Sequence, residues 1–550
     1  MSAEPQLIPV PENFPVRWES PEDAEQFWTV DLMHWPHGAS PLTITMDAPP
    51  FMRGLNKVAE DLCMPFRRLD YKPFNGYLYN TAVPFSTDPA VMAERQKQME
   101  AKMMQHVPGL LDRWYKQYEP EVRSINDETL NGDYSKLGDR DLSGLLEALT
   151  QKREREGELH FLAVFPAMGA VMLFDQVYRE LFSEPRADEH FELLQGFPNK
   201  SMEANAAIWR LSQEARKLPK VLDIINGQPA HSVHSSLPQI NGGAGFQAQV
   251  HEYLREYGWR AAELDIAEVT WFEDATPVYK LVKEYASQEG YDPDAEFRDQ
   301  VAARQAREKD LIAKAADRGE MFRQVLGFAQ QYLPIQEDHN FWIDQVGLCV
   351  ERVPVLEAGR RLVEAGRIRQ RDDIFFLEYA ELQDALRGGR GDLTELVGRR
   401  RAEREFFRNN APPPALGTMP PPDAPPDPMI TKFFGGPPEE SADKRLIHGN
   451  AASRGQVTGT ARVILSLDEA QRLKSGEILV CPATMPPWTP LFGLAKAVVT
   501  DHGGVLSHTA IVAREYRIPA VVGTKIATTT VRDGQTITVD GAAGTVRLED

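Results

Sequence analysis

Between Ala411 and Pro438 the chain carries 11 of its 41 prolines, in the run APPPALGTMPPPDAPPDPMITKFFGGPP. Proline has no amide hydrogen and a fixed φ, so such a run forms neither a helix nor a central strand. It divides the 550 residues, already more than the ~250–300 at which one core stops growing, into a long first part and a short last part. Extended at about 3.1 Å per residue, roughly 25 residues of this kind span on the order of 80 Å, enough for the following segment to travel. A static spacer fits the same composition.

The two parts have different patterns. Before the prolines, Val91–Met104, Leu142–Glu156, Phe297–Tyr332 and Glu351–Ala365 repeat apolar residues every three to four positions with few breakers, which predicts helices. Ser40–Asp47 and Arg67–Phe85 read as a small β element, with Asn75-Gly76 as a hairpin turn. After the prolines come short β-branched runs separated by glycine: Val457–Val463, Glu477–Val480, Ala497–Thr500, Ala520–Val522, Thr536–Val539 and Thr545–Leu548, with helical segments at Asp468–Leu473 and Thr509–Tyr516. The expectation is a multidomain α+β protein: a mainly helical body over 1–410, a linker over 411–440, and a small α/β domain over 441–550.

Composition narrows the partners. The net charge of −20 argues against nucleic acid or an anionic membrane. Residues 444–550 hold 12 Lys plus Arg against 9 Asp plus Glu, a balance of +3, which leaves −23 on the rest and favours phosphate on the last domain over the body. No run of ~18 apolar residues stands out as a membrane span, and the start MSAEPQLIPVPENFP lacks the basic and apolar regions of a signal peptide. Cys63, Cys349 and Cys481 are far apart and form no CxxC pair, so neither a disulfide framework nor a metal site is expected. A cytoplasmic protein with no membrane partner is the expectation.

Chemistry concentrates in Thr500–Thr524, TDHGGVLSHTAIVAREYRIPAVVGT. Gly503 and Gly504 permit a tight turn that aims N–H groups at an anion, and Ser507 or Thr509 is placed to cap the helix beginning at Ala510. A helix N-terminus disfavours an imidazolium, so His508 is kept neutral and nucleophilic, and a phosphoryl group bound on it is then stabilised. A solvated or capping histidine is the plainer alternative. Arg514 is placed either to neutralise phosphoryl oxygens or simply on a helix surface.

This stretch resembles the swivelling phosphohistidine domain of the phosphoenolpyruvate-utilising enzymes, whose pattern is GGxxSH followed by AxxARE and IPAVVG. Gly503, Gly504, Ser507, His508, Ala510, Arg514, Glu515, Ile518, Pro519, Ala520, Val521, Val522 and Gly523 all fall where that pattern puts them. The resemblance extends through GQVTGTARV (455–463), ILVCPATMPPWTP (478–490) and TITVDGAAGTV (536–546), and so covers the last hundred residues. It implies a covalent phosphohistidine intermediate on His508.

Within the helical body, AHSVHSSLPQINGGAG (230–245) places His231 and His234 three apart beside a glycine-rich loop. The pair fits an acceptor-binding loop or a capped turn, and a metal site would need ligands not found nearby. In QEDHNFWIDQ (336–345), Glu337 can orient His339 to remove a proton from an acceptor hydroxyl, and Phe341 and Trp342 can pack on an aromatic acceptor. Ordinary core aromatics beside an acidic patch fit equally. EYLREYGWRAAELD (252–265), EDHNFWID and RRLVEAGRIRQRDDIFFLEYAEL (360–382) are similar to segments ahead of the swivelling domain in aryl-phosphate-forming and antibiotic-phosphorylating relatives, where this region binds the acceptor. In the first, Arg255, Tyr257, Arg260 and Asp265 fit a buttressed turn as well.

The chain has no glycine-rich P-loop, no ATP-grasp stretch and no barrel after His508. The resemblance is then greatest to the phosphohistidine subunit of phenylphosphate synthase-type aryl phosphotransferases. It implies ATP and Mg²⁺ bound by a separate ATP-grasp-type subunit, ATP split to AMP and phosphate, and a small aromatic hydroxyl as acceptor. A relay protein passing phosphate to another protein is the alternative.

Overall fold

The computed structural model describes residues 7–182, 189–288, 290–420, 431–433, 435 and 441–549. The stretch expected as a linker is thus described at 411–420, 431–433 and 435, and the rest of it lies outside the described residues. Contacts define two compact units: Met1–Pro166 with Glu263–Glu268 and Trp342–Pro425, and Ala167–Ala262 with Val269–Phe341 and Pro426–Asp550.

The first unit holds an antiparallel sheet of β1 (Phe27–Val30), β2 (Phe66–Phe74), β3 (Tyr77–Pro84) and β4 (Ala415–Gly417), in the order β2-β3-β1-β4. Asn75 and Gly76 join β2 to β3 at φ of 54° and 82°, the two positive values a two-residue hairpin of matching twist requires. One face buries Phe14, Trp28, Phe74, Tyr77, Tyr79 and Leu416. The prolines flanking β4 are accommodated because it is an edge strand.

Ser40–Asp47, expected as strand, is helical: a wide turn at Thr43–Asp47 runs into the helix Ala48–Asp61. A distant carboxylate overrides the local β preference. Asp265 accepts from the Ser40 N–H at 2.8 Å, the Ser40 hydroxyl at 2.6 Å and the Thr43 hydroxyl at 2.7 Å, which organises the helix start. Arg404 pairs with the same carboxylate at 2.6 Å. Asp265 therefore buttresses a turn.

Leu142, Leu146, Leu348, Val355, Leu362 and Ile374 form a helical core in this unit. The helix Asp139–Leu181 is long and apolar enough to cross a membrane, a stretch the sequence reading did not single out, yet 67% of its apolar window is buried inside the protein. That is how the central helix of a folded core looks.

In the second unit the helices include Lys200–Arg216, Gly243–Tyr257, Thr276–Ser287, Pro293–Lys314, Gly319–Ala329 and Tyr332–His339. The segment Phe297–Tyr332, expected to be continuous, is broken after Lys314, where Ala316 takes a φ of 50° that no α-helix contains. The strands follow as β5 (Leu446–His448), β6 (Asn450–Ser453), β7 (Gln456–Val463), β8 (Ile478–Cys481), β9 (Ala497–Thr500), β10 (Ala520–Val522), β11 (Thr536–Asp540) and β12 (Thr545–Leu548). They make one sheet in the order β5-β12-β11-β7-β8-β9-β10-β6, parallel from β7 to β10 and antiparallel elsewhere.

Ile447, Ala461, Ile478, Val480, Val499, Val521 and Ile537 fill the core of this sheet. Joining the parallel pair β9 and β10 requires a crossover, and the helix His508–Glu515 supplies it. His508 thereby starts a helix just beyond the carboxyl end of β9, the end at which parallel sheets place their ligands.

Candidate active site

The loop from Asp501 to Ser507 is fixed from both sides. The Asp501 and His502 amides donate to the carbonyls of Cys481 and Pro482, and Asp501 accepts from the Thr524 hydroxyl at 3.1 Å. Gly503 has a φ of +109°, and a side chain on Gly504 would meet the Lys432 carbonyl at 2.2 Å. The closeness is used: the Gly504 amide donates to the Phe433 carbonyl at 3.1 Å and the Leu506 amide to the Lys432 carbonyl at 2.9 Å. Tyr332, fully buried, donates its hydroxyl to the Leu506 carbonyl at 3.2 Å. One glycine serves the turn and the other serves close approach.

His508 is the first residue of the helix, and its side chain is 10% exposed. Its Nδ1 lies 3.3 Å from Glu337 Oε1 and its Nε2 3.4 Å from the Thr489 hydroxyl. The other Glu337 oxygen accepts from the Ser201 hydroxyl at 2.5 Å. Ser201 belongs to the first turn of Lys200–Arg216, where Asn199 caps the Met202 amide and Asp338 accepts the Lys200 amide at 2.7 Å. Two consecutive carboxylates, Glu337 and Asp338, are thus spent on the positive end of one helix.

Burial pushes the Glu337 carboxyl up, but the charge and hydrogen bond of His508, the hydrogen bond of Ser201 and the charge of His339 outweigh it and hold the group below its ordinary 4.5. Glu337 is therefore an anion at neutral pH. With its proton on Nδ1, towards the anion, the imidazole carries its lone pair on Nε2, beside the Thr489 hydroxyl.

Other expected residues fall differently. Ser507 occupies the cap position, yet its hydroxyl makes no capping bond and is buried without a partner. Thr509 is committed to the Thr484 hydroxyl at 2.8 Å. Arg514 lies six residues along the helix, a rise of about 9 Å at 1.5 Å per residue; its guanidinium donates to the Ala452 carbonyl at 2.9 Å and lies 5.9 Å from the centre of the Phe191 ring. Glu337 and His339 share no hydrogen bond, because residues two apart on a helix face different ways. The His339 Nδ1 is 2.7 Å from the Ile335 carbonyl.

Phe341 is a core residue, 1% exposed, edge-on to Tyr257. Trp342 lies in the first unit, under the guanidinium of Arg123 at 4.7 Å. His231 is exposed on the short helix Ala230–Ser236, whereas His234 bonds the Tyr279 hydroxyl at 2.9 Å and approaches His251 at 3.3 Å. Burial and then the His251 charge lower the His234 pKa. Arg260 donates to the Tyr253 hydroxyl at 2.6 Å and stacks over Trp271, so it holds a turn. Sequence reading missed Ser201 and Thr489. The second stands inside the ATMPPWTP run, which offered a signal; an isolated serine in a helix's first turn offered none.

Glu515, at the far end of the helix, accepts the Gly196 amide at 3.1 Å, and burial pushes its carboxyl up to about 7. From 4.5 to about 7 the unfolded chain has released a proton that the folded chain retains, so stability declines as pH rises through that window. The decline is on the order of 3 kcal/mol. Glu515→Gln keeps an acceptor for Gly196 and removes the titration. Urea unfolding at pH 5 and pH 8 is expected to give a smaller difference in the variant by about that amount; equal differences would clear Glu515 of the effect.

Two family descriptions match the chain: the rifampicin phosphotransferase fourth domain over residues 160–337, and the PEP-utilising enzyme mobile domain over 473–544. A chondramide synthase from Chondromyces crocatus is 34% identical over 98% of this chain and 14% of its own. An uncharacterized phosphotransferase from Bacillus subtilis is 29% identical over 96% of this chain and 62% of its own. A rifampicin phosphotransferase from the same organism is 28% identical over 70% and 43%. The chain spans less than two thirds of the length of each of these relatives. The first match contains Ser201 and Glu337 and the second contains His508, so the residues that meet at the imidazole come from the two matched segments. Over these two segments the chain is similar to the phosphoenolpyruvate-utilising enzymes, and its residues 473–544 match their mobile domain.

Proposed function

We propose that this chain is a phosphotransferase component that carries a phosphoryl group on His508 Nε2 and passes it to the hydroxyl of a small, phenolic acceptor. The donor is ATP, held with Mg²⁺ by a separate ATP-binding subunit. The observation that carries the reading is the His508 Nδ1 set 3.3 Å from a buried, ionised Glu337, which leaves Nε2 as the nucleophile. Two relatives bear the name phosphotransferase, one of them for rifampicin, and the matched fourth domain supplies the helices against which His508 rests. That contact within one chain favours transfer to a bound small molecule over a relay to another protein.

In the charging step the Nε2 lone pair attacks the donor phosphorus and the bond to the leaving oxygen breaks. In the transfer step the acceptor oxygen attacks the same phosphorus, the P–Nε2 bond breaks and its electron pair returns to Nε2. Nδ1 keeps its proton throughout, with Glu337 stabilising the charge that develops on the ring. The acceptor's proton passes to His339. Positioning and charge account for most of such a transfer, which suits a histidine held in a formed pocket.

The test is labelling of the full chain in extract of its source cells, with ATP labelled at either the β or the γ phosphate. Acid-labile label from the β position, absent in His508→Ala, is the expected result for a donor split to AMP and phosphate. Label from neither position would remove ATP as the donor.

A further inference from the structure

We propose that Ser201 is a positioning residue: its hydroxyl fixes the Glu337 carboxylate so that one nitrogen of His508, and not the other, takes the phosphoryl group. This deepens the carrier reading and rests on it. Glu337 has two oxygens and two partners, the Ser201 hydroxyl at 2.5 Å and His508 Nδ1 at 3.3 Å. The serine bond is the shorter one, so it sets the carboxylate's rotation, and the imidazole meets an oxygen already placed.

Ser201 is itself locked. It is 4% exposed, on a helix whose start is held by Asn199 and by Asp338 at the Lys200 amide. The charged and titratable groups that act on or feel Glu337 are His508, His339, Tyr332 and Glu515. None of them holds the oxygen that Ser201 holds. Without the hydroxyl, that oxygen is a buried acceptor with no donor, and the carboxylate turns towards whichever donor it can reach. His508 then loses the anion that keeps its proton on Nδ1, and both ring nitrogens become available to an electrophile.

The chemistry balances with a simple donor. Phosphoramidate transfers its phosphoryl group to a ring nitrogen, the P–N bond of the donor breaks and ammonia leaves. Neither the ATP-binding subunit nor an acceptor is needed, so the full chain can be tested alone. The readouts are the rate of acid-labile phosphorylation of His508 and the phosphorus NMR signal that separates the two phosphohistidine isomers. His508→Ala supplies the background.

In the wild type the label is expected on Nε2 alone. In Ser201→Ala labelling is expected to be about tenfold slower, the loss typical of one hydrogen bond to a charged group, with part of the label on Nδ1. Ser201→Thr keeps a hydroxyl and is expected to restore both the rate and the single isomer. A loss of packing alone would change the rate without changing the isomer. Ser201→Ala matching the wild type in both would overturn the proposal and leave the carrier reading standing. A wild-type chain that takes no phosphoryl group on His508 would sink both.

Discussion

His508→Ala is expected to abolish acid-labile labelling and to lower acceptor phosphorylation by about 10³-fold or more, the scale on which covalent intermediates fail when the nucleophile is removed. The substitution has a second effect that must be separated from the first. Glu337 is 2% exposed, and its side chain has two partners, His508 and Ser201. Alanine leaves that buried carboxylate without its cationic or donating neighbour, and it responds by taking up a proton or by destabilising the fold. His508→Gln resolves the two, because an amide still donates to the carboxylate but cannot form a stable phosphoryl adduct. The expected result is a Gln variant that unfolds near the wild-type temperature and is as inactive as the Ala variant. Acceptor phosphorylation persisting in the Gln variant would end the carrier mechanism.

The features that sequence made legible are local ones. Asn75-Gly76 announced its hairpin because two adjacent positive φ values have few sequence solutions. Six of the eight strands after the prolines were legible because β-branched runs between glycines have one dominant reading, and His508 because glycines, serine and histidine stand together in six residues. What failed was set at a distance. Ser40–Asp47 carries strand-like residues, but Asp265, 225 residues away from Ser40, turns it into a helix. Glu337 was read with its neighbour His339, and the sequence did not show that its hydrogen bonds go to Ser201 and, 171 residues further on, to His508. A motif records that residues occur together, and the helix period decides which of them meet.

The same geometry fixes the next expectation. Glu337→Gln is expected to slow acceptor phosphorylation by about 10²–10³-fold, and to slow the labelling of His508 without abolishing it, because the nucleophile remains and the charge beside it is lost. Glutamine is nearly isosteric and can still accept from Ser201, so the loss is electrostatic. A neutral amide does not pin the proton on Nδ1 and does not balance the positive charge that the ring carries while Nε2 bears the phosphoryl group. Stability supplies an independent check with a definite sign. The wild-type carboxyl is held below 4.5, so its contribution is full above pH 4.5 and is lost as pH falls through the lowered value. The variant lacks that titration, and its unfolding free energy is expected to fall less steeply than the wild type's between pH 5 and pH 3. A variant as active as the wild type, with the same acid dependence of stability, would mean that the carboxylate neither orients nor charges the histidine. Loss of both activity and labelling would instead place Glu337 in the charging step, before the acceptor is engaged.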